Sequence, residues 1–268
     1  MNDTRMGPTS VRTDGWRKLA LAGGVLYLMT FIFSIPAVFL YGPVLTDPAY
    51  ILSAGADSQV LLGALFDLIT ALACIGTAVA LYPVIRRQSG AASIGFLATR
   101  IFEGAVIVIG VVCLMAVVAL RQAGAAAGTD ASALVAVGQG LVAVRDQTFL
   151  IGGTLMPAMN ALLLGYLMYR SSLVPRLIPA IGLVGGVLMT SSVIGQILGI
   201  NEKISVWSLI ALLPIFLWEL SLGLWMTFKG FRKEAPLMVE AAAEAQSPHG
   251  SAPAVLSPIA VATTAGAA

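Results

Sequence analysis

Four ionisable side chains interrupt the long apolar stretches of this 268-residue chain: Asp67, Arg100, Glu103 and Glu219. On insertion scales, an ionised residue at the centre of a membrane helix costs about 2.5–3.5 kcal/mol, so such residues normally face a bundle interior and pair or carry function. Arg100 and Glu103 are three residues apart and therefore share one helix face. Three carboxylates oppose one guanidinium, and burial favours the neutral form of a carboxyl group. We therefore expect at least one of these acids to hold a proton at neutral pH.

The depth of each polar group follows from its distance to a helix end. Counted at 1.5 Å per residue, Glu103, Asn160 and Glu219 share a layer at roughly 13–14 Å, and Asp67 lies alone above it near roughly 24 Å. A proton held there can be relayed, exchanged for a cation or donated to a substrate. The candidate catalytic residues are Asp67, Glu219, Glu103 and Arg100. Asn160 is a candidate substrate-binding residue, and so is Trp218, which adjoins Glu219 and would stabilise a cation unless it simply packs.

The composition requires a surface covered by lipid. Hydrophobic residues make up 58% of the chain and charged residues 10%, with a net charge of +2, whereas soluble domains carry about 25% charged residues. These values exclude a soluble enzyme, a disordered protein and a nucleic-acid-binding protein. Because a backbone in lipid must satisfy its own hydrogen bonds, apolar runs of about 20 residues predict helices. Six such runs predict an all-α, polytopic transmembrane bundle: 18–40, 60–83, 94–119, 146–169, 177–198 and 206–228.

Lys and Arg residues are distributed unequally between the two sides of a six-span bundle. Eleven fall on one side, including Arg5 and Arg12, against three on the other, namely Arg121, Arg145 and Lys203. Since cytoplasmic segments carry the excess of basic residues, both termini are expected in the cytoplasm.

The segment 131–151 has two interpretations. As a seventh span, it would bury Arg145 and Asp146 and reverse the side of the basic segments that follow it. An amphipathic or extended segment on the outer side, leading into the fourth span, agrees better with the charge distribution. We therefore predict six spans, with seven as the alternative.

Three regions are expected along the chain. Residues 1–17 form a cytoplasmic N-terminal segment, residues 18–233 the membrane domain, and residues 234–268 an Ala-, Pro- and Ser-rich tail expected to be disordered. The two cysteines, Cys74 and Cys113, lie within spans and are expected to be core residues without a disulfide. The single histidine lies in the tail, so we expect no zinc, no haem and no other cofactor.

Four stretches of the chain resemble a bacterial family of integral-membrane proteins described only as domain of unknown function 4386: LYPVIRR (81–87), GFLATRIFEG (95–104), NALLLGYLMYRSSLVPRLIPAIGLVGG (160–186) and WELSLGLWMTFKGF (218–231). The resemblance covers about residues 18–233. It implies a compact multi-helix fold in the bacterial inner membrane, and it supplies no established activity. Position 67 holds Glu in this family more often than the Asp found here. The family pattern carries four of the candidate residues: Arg100, Glu103, Asn160 and Glu219.

Three classes of function agree with these residues, each with the lipid bilayer as a partner. The leading hypothesis is a metal-independent enzyme that acts on a lipophilic, isoprenoid-like substrate by acid catalysis, similar in size and layout to small membrane terpene cyclases. In that enzyme Asp67 or Glu219 would donate the proton, while Arg100 and Glu103 set the local field. The second is a proton- or cation-coupled carrier, for which a homodimer would supply further helices. The third is a structural or accessory protein whose charges only connect helices.

Overall fold

The computed structural model describes residues 8–53, 55, 57–127 and 130–246. Over those residues the chain is helical and contains no strand, which confirms the all-α class. A 3-10 turn at Tyr50–Leu52 precedes the third helix, and a π-helical segment at Phe149–Leu155 joins the fifth helix to the sixth. The α-helices follow in chain order as α1 (Pro8–Leu40), α2 (Gly42–Thr46), α3 (Asp57–Ile85), α4 (Gly90–Ala127), α5 (Ala131–Thr148), α6 (Met156–Ser171), α7 (Leu177–Ile197), α8 (Val206–Phe228) and α9 (Pro236–Gln246).

Six helical stretches in the described part of the chain are long and apolar enough to cross a membrane, as the sequence predicts. Large apolar side chains point outward from them, among them Ile32, Leu72 and Val187 at 62–71% exposure. Such a surface is stable only against lipid. The candidate spans are Gly15–Leu40, Asp57–Ile85, Gly90–Gly124, Ala131–Ser171, Leu177–Ile197 and Val206–Phe228.

The fourth span differs from its prediction. Residues 131–151 are not an extended outer segment, because α5, the π segment and α6 form one continuous helix of 41 residues from Ala131 to Ser171. At 1.5 Å per residue this helix is about 60 Å long, which exceeds the ~30 Å of hydrocarbon. Segment 131–151 therefore extends the fourth span and does not form a seventh.

The six spans form a closed ring in chain order. α1 packs between α3 and α8, α4 packs against α3 and the α5–α6 helix, and α7 lies between α6 and α8. Glycines allow close approaches between the spans, as in many membrane bundles. A Cβ at Gly24 would lie 2.5 Å from Thr227 Oγ1, and a Cβ at Gly182 would lie 2.5 Å from the Trp218 ring. The ring thus leaves an interior that is surrounded by all six spans.

We call the end of the bundle where α1 begins and α8 ends the basic end, and the opposite end the far end. At the basic end, Arg17 reaches the last turn of α8 and donates hydrogen bonds to the carbonyl oxygens of Met226, Thr227 and Phe228, at 3.1, 2.7 and 3.3 Å. These carbonyls have no partner within the helix, and a cation there also complements the helix dipole. The contact fixes the register of α1 against α8.

The far end is closed by a second polar cluster. Arg121 of α4 donates hydrogen bonds to the Ser53 carbonyl and to Asp57, and the Tyr50 hydroxyl donates to Asp57 Oδ1 at 3.0 Å. Burial, with Asp57 beside it, raises the pKa of Tyr50 to about 12, so this hydroxyl remains a donor at neutral pH. The cluster ties the loop between α1 and α3 to α4.

The two ends of the chain differ from the expected segments. α1 begins at Pro8, inside the predicted N-terminal segment, and residues 1–7, with Arg5, lie outside the described residues. In the predicted disordered tail, residues 236–246 form α9, which packs on α1 and buries Ala241. The remainder of the tail, residues 247–268, lies outside the described residues. The two cysteines are buried and free, as predicted.

Candidate functional site

Arg100 connects the carboxylates of two helices. Its Nη1 lies 3.0 Å from Glu103 Oε2, and its Nη2 lies 3.2 Å from Glu219 Oε1 on α8. The guanidinium also stacks over the Tyr27 ring, 4.7 Å from its centroid, and only 1% of Arg100 is exposed. The spacing of Arg100 and Glu103 predicts that they share a helix face, and the structure adds the contact of Arg100 with Glu219.

Asn160 completes the hydrogen bonding of Glu103. Its Nδ2 donates to Glu103 Oε2 at 2.8 Å, and its Oδ1 accepts from Thr99 Oγ1 at 2.6 Å. Glu103 and Asn160 are both buried. Glu103, Asn160 and Glu219 therefore share one layer, as predicted, and Glu103 is satisfied from two sides by protein groups.

A cavity of about 330 Å³ lies above this layer, inside the ring of spans. All three intramembrane acids line it: Asp67 from α3, Glu103 from α4 and Glu219 from α8. Hydroxyl and thiol groups add weaker polar contacts, from Thr30, Ser34, Thr70, Cys74, Thr148 and Thr154. Most of the remaining lining is apolar, from Phe31, Ile35, Val38, Ile107, Phe149, Pro157, Met189, Leu212, Ile215 and Phe216. Small-molecule sites combine an apolar wall with a few convergent polar groups in the same way.

Arg145 is a second cation of this cavity, and the sequence interpretation missed it. The charge distribution assigned Arg145 to the outer side, whereas in the structure it is 8% exposed and lines the cavity from α5. Its guanidinium carbon lies 5.3 Å from the Tyr41 ring centroid and 5.0 Å from that of Phe149. The signal available in the sequence was the spacing of Arg145 and Phe149, which are four residues apart and share a helix face.

The charge count of the cavity changes accordingly. Three carboxylates are opposed by two guanidinium groups, Arg100 and Arg145, so the expected excess of two negative charges is reduced to one. Asp67 is not isolated above the layer, because it lines the same cavity, lies beside Tyr41 and interacts electrostatically with Arg145. Within the described residues, Asp67 has no ion-pair partner within 4 Å.

The vertical positions of these groups follow from the helix rise. Gly110 lies ten residues beyond Arg100 on α4, or about 15 Å along the helix. A Cβ at Gly110 would lie 3.6 Å from Arg145 Cγ, so Arg145 sits at that level. Cys74 Sγ lies 3.6 Å from Arg100 Nη1, and Asp67 is seven residues from Cys74, or about 10 Å above that level. The order from the far end toward the bilayer centre is therefore Arg145, Asp67, then Arg100 with Glu219.

The π segment shapes one wall of the cavity. Phe149, Gly153 and Thr154 of this segment, and Pro157 just after it, line the cavity. Proline has no backbone N–H, which favours a local departure from α-helical hydrogen bonding, and π segments occur frequently at functional sites. A Cβ at Gly152 would lie 3.0 Å from Val106, so glycine also lets the segment approach α4 closely.

The two candidate substrate-binding residues lie away from the cavity lining. Asn160 contacts Glu103 and Thr99, and Trp218 is fully buried against Gly182 between α7 and α8. Neither is among the residues that line the cavity. Among the described residues, no group of three or more His, Cys, Asp or Glu side chains is arranged to hold a metal ion.

The fold and the cavity define a class: a multi-pass helical membrane protein with a charged cavity among its spans. The chain belongs to the family described as Domain of unknown function (DUF4386), whose profile matches residues 22–230. That range contains all six spans' cavity-lining residues, so the cavity lies within the family's domain. No curated protein and no solved structure matches the chain.

Proposed function

We propose that this protein is an intramembrane enzyme that binds a lipophilic, isoprenoid-like substrate in the cavity and transforms it by acid catalysis. The observation that carries the proposal is the position of Asp67 and Glu219, which line one cavity from two separate helices. Among the described residues, Glu103 accepts hydrogen bonds from both Arg100 and Asn160, whereas Glu219 accepts from Arg100 alone, so Glu103 is assigned to position Arg100 and not to donate a proton. The membrane in question would be the bacterial inner membrane.

A purely structural role explains only part of the charge arrangement. The contacts of Arg100, Glu103 and Asn160 connect α4 to α6 and α8, as an accessory protein would require. Asp67 makes no such connection within ion-pair distance in the described part of the chain, yet its carboxyl group lines an apolar cavity. An acid in an apolar cavity is costly even with the Arg145 guanidinium nearby. Because Asp67 joins no two helices through an ion pair within the described residues, its presence favours a chemical role.

The reaction needs no reagent other than a proton, which the carboxyl group donates at the first step and recovers at the last. A neutral carboxyl group of Asp67 or Glu219 would transfer its proton to one carbon of an alkene, and the π electrons would form the new C–H bond. The other alkene carbon becomes a cation, which a neighbouring double bond attacks to close a ring. Loss of a proton to the carboxylate forms the product alkene and restores the acid. The product is an isomer of the substrate, so no co-reactant is consumed, and Phe31 and Phe216 would shield the cation.

The experiment offers short prenyl chains, as the alcohol and the carboxylic acid, to membranes containing the protein in heavy water. The expected product is an isomer that carries deuterium at carbon, detected by mass spectrometry. Asp67→Asn and Glu219→Gln should each lower turnover by about 10²-fold or more, the usual contribution of a positioned acid. Glu202→Gln is the matched control, since Glu202 is exposed in the loop before α8 and lies outside the cavity. Turnover that survives both cavity substitutions would contradict the proposal.

A further inference from the structure

Arg145 has donors that no protein group uses. Among the described residues its guanidinium makes no hydrogen bond, and the carboxylate oxygen within ion-pair distance, Asp146 Oδ1, lies 3.6 Å away. Asp146 is itself engaged through its other oxygen, which accepts from Lys203 Nζ at 2.7 Å. Arginine carries five N–H donors and cannot lose its charge in a protein. Asp146 therefore leaves most of the Arg145 N–H donors free on the cavity side, where they can bind the oxygen atoms of a ligand.

The surroundings of Arg145 hold the group rigidly in place. The guanidinium lies over the rings of Tyr41 and Phe149, 5.3 and 5.0 Å from their centroids, and both rings attract a cation. Gly110 on α4 gives the side chain room to pass, because a Cβ there would contact Arg145 Cγ and would clash with Thr148. A preorganised planar fork of this kind matches the oxygens of a carboxylate or a phosphate.

The depth of Arg145 in the membrane suits a ligand that is oriented like a lipid, with its polar head at the interface and its apolar chain toward the bilayer centre. Arg145 lies about 15 Å above Arg100, which is half of the ~30 Å hydrocarbon thickness and so equals one leaflet. Arg100 is itself ten residues, or about 15 Å, from the start of α4 at the basic end. The cavity therefore runs from the far membrane interface, at Arg145, to the bilayer centre, at Arg100 and Glu219.

One side of the cavity opens toward lipid. Ile35 and Val38 of α1, with Leu212 of α8, line the cavity and are 45–51% exposed on the outer surface. Below this level α1 and α8 are in close contact, with the rings of Phe31 and Phe216 5.3 Å apart. Each helix carries a proline at the level of the opening, Pro36 and Pro214, which removes a backbone hydrogen bond there. An apolar chain can thus enter sideways from the bilayer.

We infer that the cavity binds a single-chain amphiphile whose carboxylate or phosphate monoester head is held by Arg145 and whose apolar chain extends inward past Asp67 to Glu219. This inference rests on the proposed function for the reaction of the bound chain. It narrows the proposed lipophilic substrates to those with a carboxylate or phosphate monoester head. With the head fixed at Arg145, the chain places its inner end beside Glu219, and Asp67 faces its upper part.

The test measures binding without turnover. The full-length protein in phosphatidylcholine nanodiscs is titrated with dodecanoate, dodecyl phosphate and dodecanol, whose saturated chains cannot be protonated. We expect both acids to bind about tenfold or more tightly than the alcohol, the effect of charge-assisted hydrogen bonds. Arg145→Gln should abolish this difference. Arg176→Gln, which removes an exposed arginine stacked on Tyr169 at the basic end, should leave it unchanged.

Three results would overturn the inference. The first is equal affinity of the wild-type protein for dodecanol and dodecanoate, a comparison that needs no folded variant. The second is an undiminished acid preference in a folded Arg145→Gln protein. The third is binding of acetate or inorganic phosphate alone with the same dependence on Arg145, which would show a free-anion site. Acid-selective binding that persists in Asp67→Asn and Glu219→Gln supports the inference. It does so even if neither the variants nor the wild type show turnover, so the binding inference and the proposed function can fail independently.

Discussion

A single guanidinium group determines the electrostatics of the bilayer centre in this protein. Arg100 serves two carboxylates, on its own helix and on α8, and its own burial is nearly complete. Buried ion pairs of this kind contribute little net stability, but removing one partner leaves the others uncompensated in a low dielectric. The arrangement therefore makes the charges of Glu103 and Glu219 depend on one side chain.

Arg100→Gln is expected to lower the free energy of unfolding by about 3–5 kcal/mol, because it leaves Glu103 and Glu219 without a cation. Replacing Arg100 and Glu103 together by leucine should cost less than Arg100→Gln alone, since the double substitution leaves only Glu219 without its cation, and Arg100→Gln leaves both Glu103 and Glu219. Unfolding of the purified protein in mixed micelles, followed by far-ultraviolet circular dichroism, measures both effects. Arg170→Gln is the control at the basic end, where Arg170 is exposed, and should change the free energy by no more than about 0.5 kcal/mol. Equal stability of Arg100→Gln and the wild type would contradict this account of Arg100.

The network of Arg100, Glu103 and Glu219 was predictable from sequence, and the place of Arg145 in the cavity was not. Arg100 and Glu103 share a face by their spacing, and the depth of Glu219 follows from its distance to the end of α8. Arg145 is adjacent to Asp146, and two charges in sequence are typical of a segment outside the membrane. Its spacing from Phe149 shows only that the two share a helix face. The contact with Tyr41, which is distant in sequence, could not be predicted from periodicity.

At the scale of the helices, contact between α7 and α8 depends on the absence of a side chain at Gly182. Trp218 is fully buried in the space that this glycine leaves. The tryptophan therefore supports the helix that carries Glu219 from behind, and it does not wall the cavity. Gly185 and Gly186 of the same helix allow similar approaches, to Ile215 of α8 and to Leu162 of α6.

Gly182→Ala is expected to lower the free energy of unfolding by about 1–3 kcal/mol, because the added Cβ would lie 2.5 Å from the Trp218 ring. Gly140→Ala is the matched control, since Gly140 lies in α5 and has no atom within 4 Å of the added Cβ. There the change should stabilise the helix by about 0.5–1 kcal/mol, the ordinary advantage of alanine over glycine. The two variants are compared by denaturation in the same detergent. A loss of stability at Gly140 that matched the loss at Gly182 would exclude the close helix contact as the cause.

The continuous α5–α6 helix shows why element boundaries were harder to predict than element number. Each of the six apolar runs was long enough to predict a membrane-spanning helix, and each corresponds to one of the six candidate spans of the structure. The part from Ala131 to Thr148 is mixed in polarity because one face packs on the loop before α3 and another on α4, while Arg145 faces the cavity. A helix with these three different neighbours has no simple apolar face, so its pattern resembles that of a surface segment.

At the scale of the whole molecule, the charges are arranged along the membrane normal. The basic end carries arginine and lysine side chains from every connecting segment on that side, and the bilayer centre holds the Arg100 network. Above it, Arg145 and Lys203 flank Asp146 at the far end. A ligand with an acidic head and an apolar tail is therefore matched in sign and polarity when its head lies at the far end.

This arrangement makes a topological prediction that also tests the length of the fourth span. Single cysteines at Ser132 and Lys203 should react with a membrane-impermeant maleimide on one side of the membrane. Single cysteines at Arg87 and Lys233 should react only on the other side, because an odd number of spans separates each of them from Ser132 and Lys203. The positive-inside rule places Arg87 and Lys233 in the cytoplasm, so in intact cells only Ser132→Cys and Lys203→Cys should be labelled. The native Cys74 and Cys113 are buried and give the background level. Labelling of Ser132 and Lys203 on opposite sides would mean that residues 131–151 cross the membrane separately, and it would remove Arg145 from the far interface at which the head group is expected to bind.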